Sequence, residues 1–427
     1  MEEPAAPSRT ITARARALLI GIRADSLIRN SFYLMVTTGT MAVAGFVFWV
    51  VNTHLFSPEQ VGRATALVTA VAMLSHLALA GMNSTVVRHL NDADDPGGLV
   101  SGAIGAVALA ATVLGLGYLA LLPLIAPSLT RTMWHPAAAL AFALLTVGSS
   151  VNLFTDSVFV ARRAAGWNLA LDGVLLGGLK IVLPFVLAGA GMFGIFLAAG
   201  LSATVTAVIS LMVCHRRLGL RLRAPWRSAH LTGTGTYAVA NYVANALNLL
   251  PVLVMPLALL ERAGAAVTAG FFIAFQIATI LNSVSYAASE ALFAETSFDR
   301  TRLRRHALHS LKIMTALLVP AVTLVLVGGN LLLSVFGPGY GAIAGPALRV
   351  LAISALPVAL YSWGNSLLRI TGQLVGIVTV NLVYAVTIIG LVVLWAPRGA
   401  VWASIAWAAG NLAAGLVAVL FVGSRTR

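Results

Sequence analysis

Residues 375–395 read VGIVTVNLVYAVTIIGLVVLW, twenty-one positions without a charge. A helix rises 1.5 Å per residue, so about 20 apolar residues cross the roughly 30 Å hydrocarbon core of a bilayer. No water is present there to pair backbone N–H and C=O groups, so such a run spans as a helix and not as an open strand. Working outward, eleven further runs of this kind cover residues 31–54, 62–82, 99–122, 137–160, 169–189, 193–214, 235–260, 268–292, 311–330, 345–368 and 400–422. The whole chain agrees with them: 59% of its 427 residues are hydrophobic and only 9% are charged. A soluble domain carries about 25% charged residues. The expected class is therefore an all-α integral membrane protein of about 12 transmembrane helices.

The formal net charge is +14. Nucleic acid is not the expected partner, because the basic residues sit in short clusters between apolar runs. Arg9, Arg14, Arg16, Arg23 and Arg29 precede the first run. Arg88, then Arg162 and Arg163, then Arg216, Arg217, Arg221, Arg223 and Arg227 follow the second, fourth and sixth. Arg300, Arg302, Arg304, Arg305 and Lys312 follow the eighth, Arg369 the tenth, and Arg425 and Arg427 the last. All of these fall on one side of a twelve-span chain. The other side holds only Arg63, Arg131, Arg262 and Arg398. Positive residues accumulate in cytoplasmic turns, so both termini are expected in the cytoplasm, with the protein in the inner (cytoplasmic) membrane.

The same pattern sets the organisation. Residues 1–30 form a basic amphipathic cytoplasmic lead-in rather than a cleavable signal. Residues 31–214 form an N-terminal set of six spans, 215–234 a cytoplasmic linker, 235–422 a C-terminal set of six, and 423–427 a tail. The halves open alike, with Asn30-Ser-Phe-Tyr33 in one and Thr234-Gly-Thr-Tyr237 in the other. Neither side has a loop long enough to hold a catalytic domain, so the chain is not expected to be an enzyme. Cys214 is the one cysteine, which excludes an intramolecular disulfide and a cysteine metal cluster. No Walker A sequence occurs, and no cofactor or metal is expected. Asp92-Ala-Asp-Asp95 has the residues of a glycosyltransferase metal motif, but it lies in a turn with no domain around it.

An ionisable residue inside a span costs about 2.5–3.5 kcal/mol on insertion scales and is a functional candidate by default. Asp156, Asp172, Lys180, Glu290 and Arg349 are of this kind. Asn241, Asn245 and Asn248 share one helical face, as do Gln276, Thr279, Ser283, Tyr286 and Glu290 on the next span. Asn30, Tyr33 and Thr37, then Thr65, Thr69, His76 and Asn83, make matching stripes on the first two spans. Each group alone also suits a bond to a neighbouring helix, worth about 0.6 kcal/mol. Asp156 lies close enough in sequence to Arg162 and Arg163 for a salt bridge. The recurrence of stripes on corresponding spans favours a polar cleft.

Several stretches resemble the polysaccharide flippases (O-antigen and teichoic-acid export type) of the multidrug/oligosaccharidyl-lipid/polysaccharide exporter superfamily. They are Arg29-Asn-Ser-Phe-Tyr33, Leu55-Phe-Ser-Pro-Glu-Gln-Val-Gly62, Leu79-Ala-Gly-Met-Asn-Ser-Thr-Val-Val-Arg88, Leu333-Ser-Val-Phe-Gly-Pro-Gly-Tyr340 and Arg369-Ile-Thr-Gly-Gln373. The resemblance extends over nearly the whole chain in span count and layout. It implies two six-helix bundles around a central cavity, alternating access, and export of a lipid-linked oligosaccharide for surface polysaccharide biosynthesis. Under that reading Arg29, Arg88, Lys180 and Arg349 meet phosphate. Asn30, Tyr33, His76, Asn83, Asn241, Asn245, Asn248 and Gln276 line the cavity for sugar, and Asp172 and Glu290 couple an ion or proton. Partners would be the lipid-linked substrate, membrane lipid, and glycosyltransferases or a polymerase of the same pathway. The competing readings are an ion-coupled multidrug exporter of the same superfamily and a non-transporting membrane scaffold for polysaccharide synthesis.

Overall fold

The computed structural model describes residues 26–222, 236–298 and 303–424. Most of the basic lead-in, much of the linker and the tail lie outside them, as do Arg223, Arg227, Arg300 and Arg302. Among the described residues there is no strand. Twelve helices of the described residues are long and apolar enough to cross a membrane, and two short ones lie between them.

The first half comprises α1 (Ser26–Leu55), α2 (Pro58–Ala78), the short α3 (Met82–His89), α4 (Pro96–Ile125), the short α5 (Pro127–Met133), α6 (Pro136–Ala161), α7 (Gly166–Val186) and α8 (Met192–Arg216). The second comprises α9 (Thr236–Arg262), α10 (Ala265–Phe298), α11 (Leu303–Ser334), α12 (Tyr340–Ile370), α13 (Leu374–Trp395) and α14 (Ala400–Ser424). Short sequence signals set several starts. Ser57 caps α2 in a reciprocal box with Gln60, and Pro58 occupies the first turn, where no N–H is needed. Asp95 accepts the Gly98 N–H at 2.9 Å to open α4, again with a proline next in line.

One expected span is divided. α2 stops at Ala78 because Ala80 and Gly81 both take left-handed backbone, with φ of 44° and 83°. Residues 82–89 then form α3, with Val86 buried and Ser84, Arg88 and His89 exposed. Asn83 and Arg88 therefore sit on this short amphipathic helix and not on the stripe of the second span. Val86 packs α3 into the N-terminal core, while its polar side faces outward.

The two halves pack by the same rules. In the first, α1 lies on α7, α2 on α6 and α8, α4 on α6, α6 on α8, and α7 on α8. In the second, α9 lies on α13, α10 on α12 and α14, α11 on α12, α12 on α14, and α13 on α14. Each pairing in one six-helix bundle recurs six spans later in the other. The central crossings are close because small residues face each other there. A β-carbon on Gly148 of α6 would overlap Thr204 of α8, and one on Gly364 of α12 would overlap Ala418 of α14.

Aromatic rings fill both cores. Tyr118, Phe142 and Phe196 stack at centroid distances of 5.1 and 6.1 Å. Phe275, Trp407, Tyr384 and Tyr361 form a ladder with steps of 4.9, 5.8 and 4.9 Å. By span parity, Arg88, Arg162, Arg163, Arg216, Arg217, Arg305 and Arg369 share one end of the molecule, the basic end, and Arg63, Arg131, Arg262 and Arg398 the far end.

Candidate functional site

The bundles meet through α2, which packs against both α9 and α10. In the first turns of α2, Gly62 presses on α10 so closely that a β-carbon would overlap the Ala265 carbonyl. Also at the far end, the Ser128 N–H and hydroxyl both donate to the Glu261 carboxylate, the N–H at 3.2 and 3.3 Å from its two oxygens. Trp49 of α1 meets Phe272 of α10 edge-on at 4.5 Å, and Phe46 meets Phe336 at 5.2 Å. Towards the basic end the Tyr242 hydroxyl donates to Leu77 O at 2.9 Å. On α10, by contrast, Thr279, Ser283, Tyr286 and Glu290 stay exposed along one stripe. Thr279 and Ser283 bond back to Phe275 O and Ile280 O of their own helix. A tyrosine hydroxyl and a carboxylate on the same stripe are costly against acyl chains, so its Tyr286–Glu290 end marks the wall of a cleft.

Three features bear on function: one cavity between the bundles, one cavity within the C-terminal bundle and one acidic cluster within the N-terminal bundle. The first is a vault between the bundles of about 210 Å³, lined by Trp49, Thr69, Met73, Met255, Phe272 and Gln276 among others. The sequence stripes point to a polar chamber here. The structure instead gives an apolar one, in which Thr69 and Gln276 are the polar side chains. The rings win because α1, α2, α9 and α10 all turn their bulky residues inward at this level.

The second compartment lies within the C-terminal bundle and has a volume of about 260 Å³. Asn245 and Asn248 of α9, Tyr286, Ser289 and Glu290 of α10, Tyr361, Ser362, Asn365, Ser366 and Arg369 of α12, and Asn381 of α13 surround it. Asn248 donates to the Tyr361 hydroxyl, which donates to Asn381 Oδ1, each at 2.7 Å. Asn381 donates in turn to Asn365 Oδ1 at 3.3 Å and to Ile377 O at 2.8 Å. Ser289 donates to Ser362 at 3.2 Å. Glu290 and Arg369 stand 3.8 Å apart at the rim, 70% and 44% exposed.

The third lies in the N-terminal bundle. Asp172, 1% exposed, accepts from Asn152 Nδ2 at 2.9 Å. The Asp156 side chain is close enough to feel the Asp172 charge, so two carboxyl groups are neighbours in this bundle. Asn168 donates to the Asp156 carbonyl at 3.5 Å. The side-chain oxygens Asn152 Oδ1, Asp156 Oδ1 and Asn168 Oδ1 are buried with no partner among the described residues. Lys180, two turns along α7, feels the Asp172 charge. Asp172 lies on the π-wound stretch Leu169–Leu176 of α7, and such stretches concentrate at functional sites. Asp156 thus turns to Asp172, and not to Arg162 or Arg163 as its sequence position allows.

The remaining sequence candidates are placed as follows. Asn30 Oδ1 accepts the Ala165 N–H at 3.0 Å, and the Tyr33 ring lies beside Gly166, so both tie α1 to the start of α7. Arg29 is exposed at the same end. His76 is exposed and its Nδ1 lies 2.8 Å from Ala72 O. Arg349 is exposed on α12, outside the chamber lining. The side chain of Asn241 falls outside the described residues. Sequence reasoning missed Tyr361, Ser362, Asn365, Ser366 and Asn381. Tyr361/Asn365 and Ser362/Ser366/Arg369 repeat at helical spacing on α12, the same signal that marked α9 and α10.

No protein-family model and no curated protein matches the chain. Solved structures do. A lipid II flippase, MurJ, in an inward closed conformation superposes with a TM-score of 0.68 at 10% identity, covering 92% of this chain and 87% of that one. A multidrug resistance MATE family transporter of the MOP superfamily, in its outward-facing conformation, gives 0.61 at 17% identity, covering 94% and 95%. A MOP superfamily transporter from Pyrococcus furiosus Vc1 (DSM3638), described as having a binding pocket of reverse polarity, gives 0.57 at 18% identity with the same coverage. At such identities the likeness is one of architecture, and the chain has the fold of the MOP superfamily transporters.

Proposed function

We propose that the protein is an alternating-access flippase that carries a lipid-linked oligosaccharide across the cytoplasmic membrane for surface polysaccharide assembly. The basic end faces the cytoplasm under the positive-inside rule. The observation that carries the reading is the chamber of amides and hydroxyls beside the exposed stripe of α10, with Arg369 at its rim. A polar, anionic head group cannot enter hydrocarbon without replacement for its water. Neutral hydrogen-bonding groups replace that water around sugars, and a guanidinium does so at a phosphate. The head group then travels between the bundles while its lipid tail stays in the bilayer. The fold supports two bundles rocking about a shared site, a motion built on internal repeats of this kind.

The neighbouring acids Asp156 and Asp172 are the natural coupling site. Two neighbouring carboxylates repel strongly where the dielectric is low. A proton or an alkali cation held there, with the amide oxygens of Asn152 and Asn168, removes the repulsion. Its arrival and departure would bias one bundle arrangement over the other.

A second reading, export of a lipophilic small molecule, rests on the aromatic and methionine lining of the vault. The two are separated in reconstituted vesicles. A fluorescent lipid-linked oligosaccharide should cross to the other leaflet with the protein present, and Asn248→Ala should slow it by about tenfold. Absence of flipping by the wild-type protein, together with uptake of a lipophilic dye, would overturn the flippase reading.

A further inference from the structure

The chamber belongs to one bundle only. Its walls come from α9, α10, α12 and α13, so a group seated in it keeps its contacts while the bundles rock. At about 260 Å³ it falls just below the roughly 300–1,000 Å³ of sites for drug-sized ligands, which leaves room for a single ring.

The lining specifies what kind of ring. Tyr361 is used fully, accepting from Asn248 and donating to Asn381. Its ring is stacked at 4.9 Å on Tyr384, which fixes the hydroxyl in place. Among the described residues, these bonds leave the Asn248 carbonyl and the Asn365 N–H donors unspent. Asn245, Ser289, Ser362 and Ser366 add hydroxyl and amide groups to the same wall. Donors and acceptors alternate, as a polyhydroxylated ring requires. The Glu290 carboxylate is at the rim, mostly in solvent, and beside a guanidinium, which makes the chamber a poor host for a cation. The Glu290–Arg369 pair is long and exposed. An oxyanion that meets Arg369 with two short hydrogen bonds can displace it.

We propose that this chamber is a saccharide subsite of the C-terminal bundle, taking one sugar ring that bears an oxyanion. The ring hydroxyls lie on Asn248 and Asn365, and the oxyanion lies on Arg369. The assignment rests on the flippase reading for its physiological cargo. The oxyanion has two sources in such cargo: the phosphate that joins the first sugar to the lipid, or the carboxylate of an acidic sugar.

The test is equilibrium binding to the purified full chain in lipid nanodiscs, by titration calorimetry. The probes are glucose 1-phosphate, glucuronate, glucose and inorganic phosphate. Saturable binding of glucose 1-phosphate or of glucuronate, at least about tenfold tighter than glucose and phosphate, is expected. Whichever of the two binds tighter identifies the source of the oxyanion. Arg369→Gln, at an exposed position that leaves the packing intact, should bring the preferred probe down to the level of glucose. Tyr361→Phe should weaken glucose and the charged sugars alike. Phosphate binding as tightly as the sugar phosphate, or binding indifferent to both variants, would overturn the proposal. So would absence of sugar binding by a protein that still flips lipid-linked oligosaccharide, and that result would leave the flippase reading standing. Sugar binding by a protein that flips nothing would sink the flippase reading and keep the subsite.

Discussion

Asp172 accepts from one neutral side chain, the buried Asn152, and has one acidic neighbour, the half-buried Asp156. Replacing a single oxygen by an amide nitrogen removes the charge that a proton or cation would neutralise, at nearly constant shape. Asp172→Asn is therefore expected to abolish dependence on the driving ion and to lower flipping by about tenfold or more. Flipping rates in vesicles, with and without an imposed ion or proton gradient, measure this. A variant that keeps full gradient dependence would remove Asp172 from coupling. Arg349, exposed on α12 and outside the chamber, carries a different expectation: Arg349→Ala should change the rate by less than about twofold, as surface substitutions usually do.

The residue scale is also where sequence reading was weakest. A stripe such as Asn245/Asn248 shows which face of a helix is polar, but not which helix it meets. That Asn248 would bond Tyr361, 113 positions away, depends on α9, α12 and α13 converging. Asp156 was misread for the same reason. Its near neighbours in sequence are arginines, and its neighbour in space is a second acid.

At the scale of elements the sequence was more informative. A span needs a set length of apolar residues, and that requirement is local. Residues 375–395 become α13 (Leu374–Trp395), and residues 137–160 become α6 (Pro136–Ala161). The exceptions are physical too. α10 and α11 outrun their apolar cores into polar ends, where helix continues outside hydrocarbon. α2 stops early because two successive left-handed residues intervene. Tight crossings make a further prediction. Gly62→Val places a branched side chain where α10 backbone already lies, so α2 and α10 must separate. Overpacking of this kind costs about 1–3 kcal/mol. Thermal unfolding in detergent should show a lower midpoint for the variant, and an unchanged midpoint would mean that the contact opens freely. In the N-terminal core, Phe142→Ala removes the centre of a three-ring stack and should cost about 3–5 kcal/mol, read by the same melting experiment.

For the whole molecule, the recurrence of each pairing six spans later makes the chain two similar bodies joined along α2. Motion of one against the other has to break contacts at the far end, where Ser128 meets Glu261 and Gly62 meets Ala265. A short bifunctional thiol reagent joining Ser128→Cys to Glu261→Cys should therefore halt flipping, and a cleavable version should restore it on reduction. Buried Cys214 stays out of that chemistry, so the introduced pair reports alone. Continued flipping by the cross-linked protein would show that the bundles do not part there.

The vault beneath those contacts has an electrical consequence. A cavity walled by Trp49, Met73, Met255 and Phe272, with only Thr69 and Gln276 as polar side chains, offers water few partners, and a gap that sheds its water conducts neither protons nor metal ions. A protein waiting for cargo in this state would thus drain none of the voltage across its membrane, and a serine in place of Phe272 would open a measurable current.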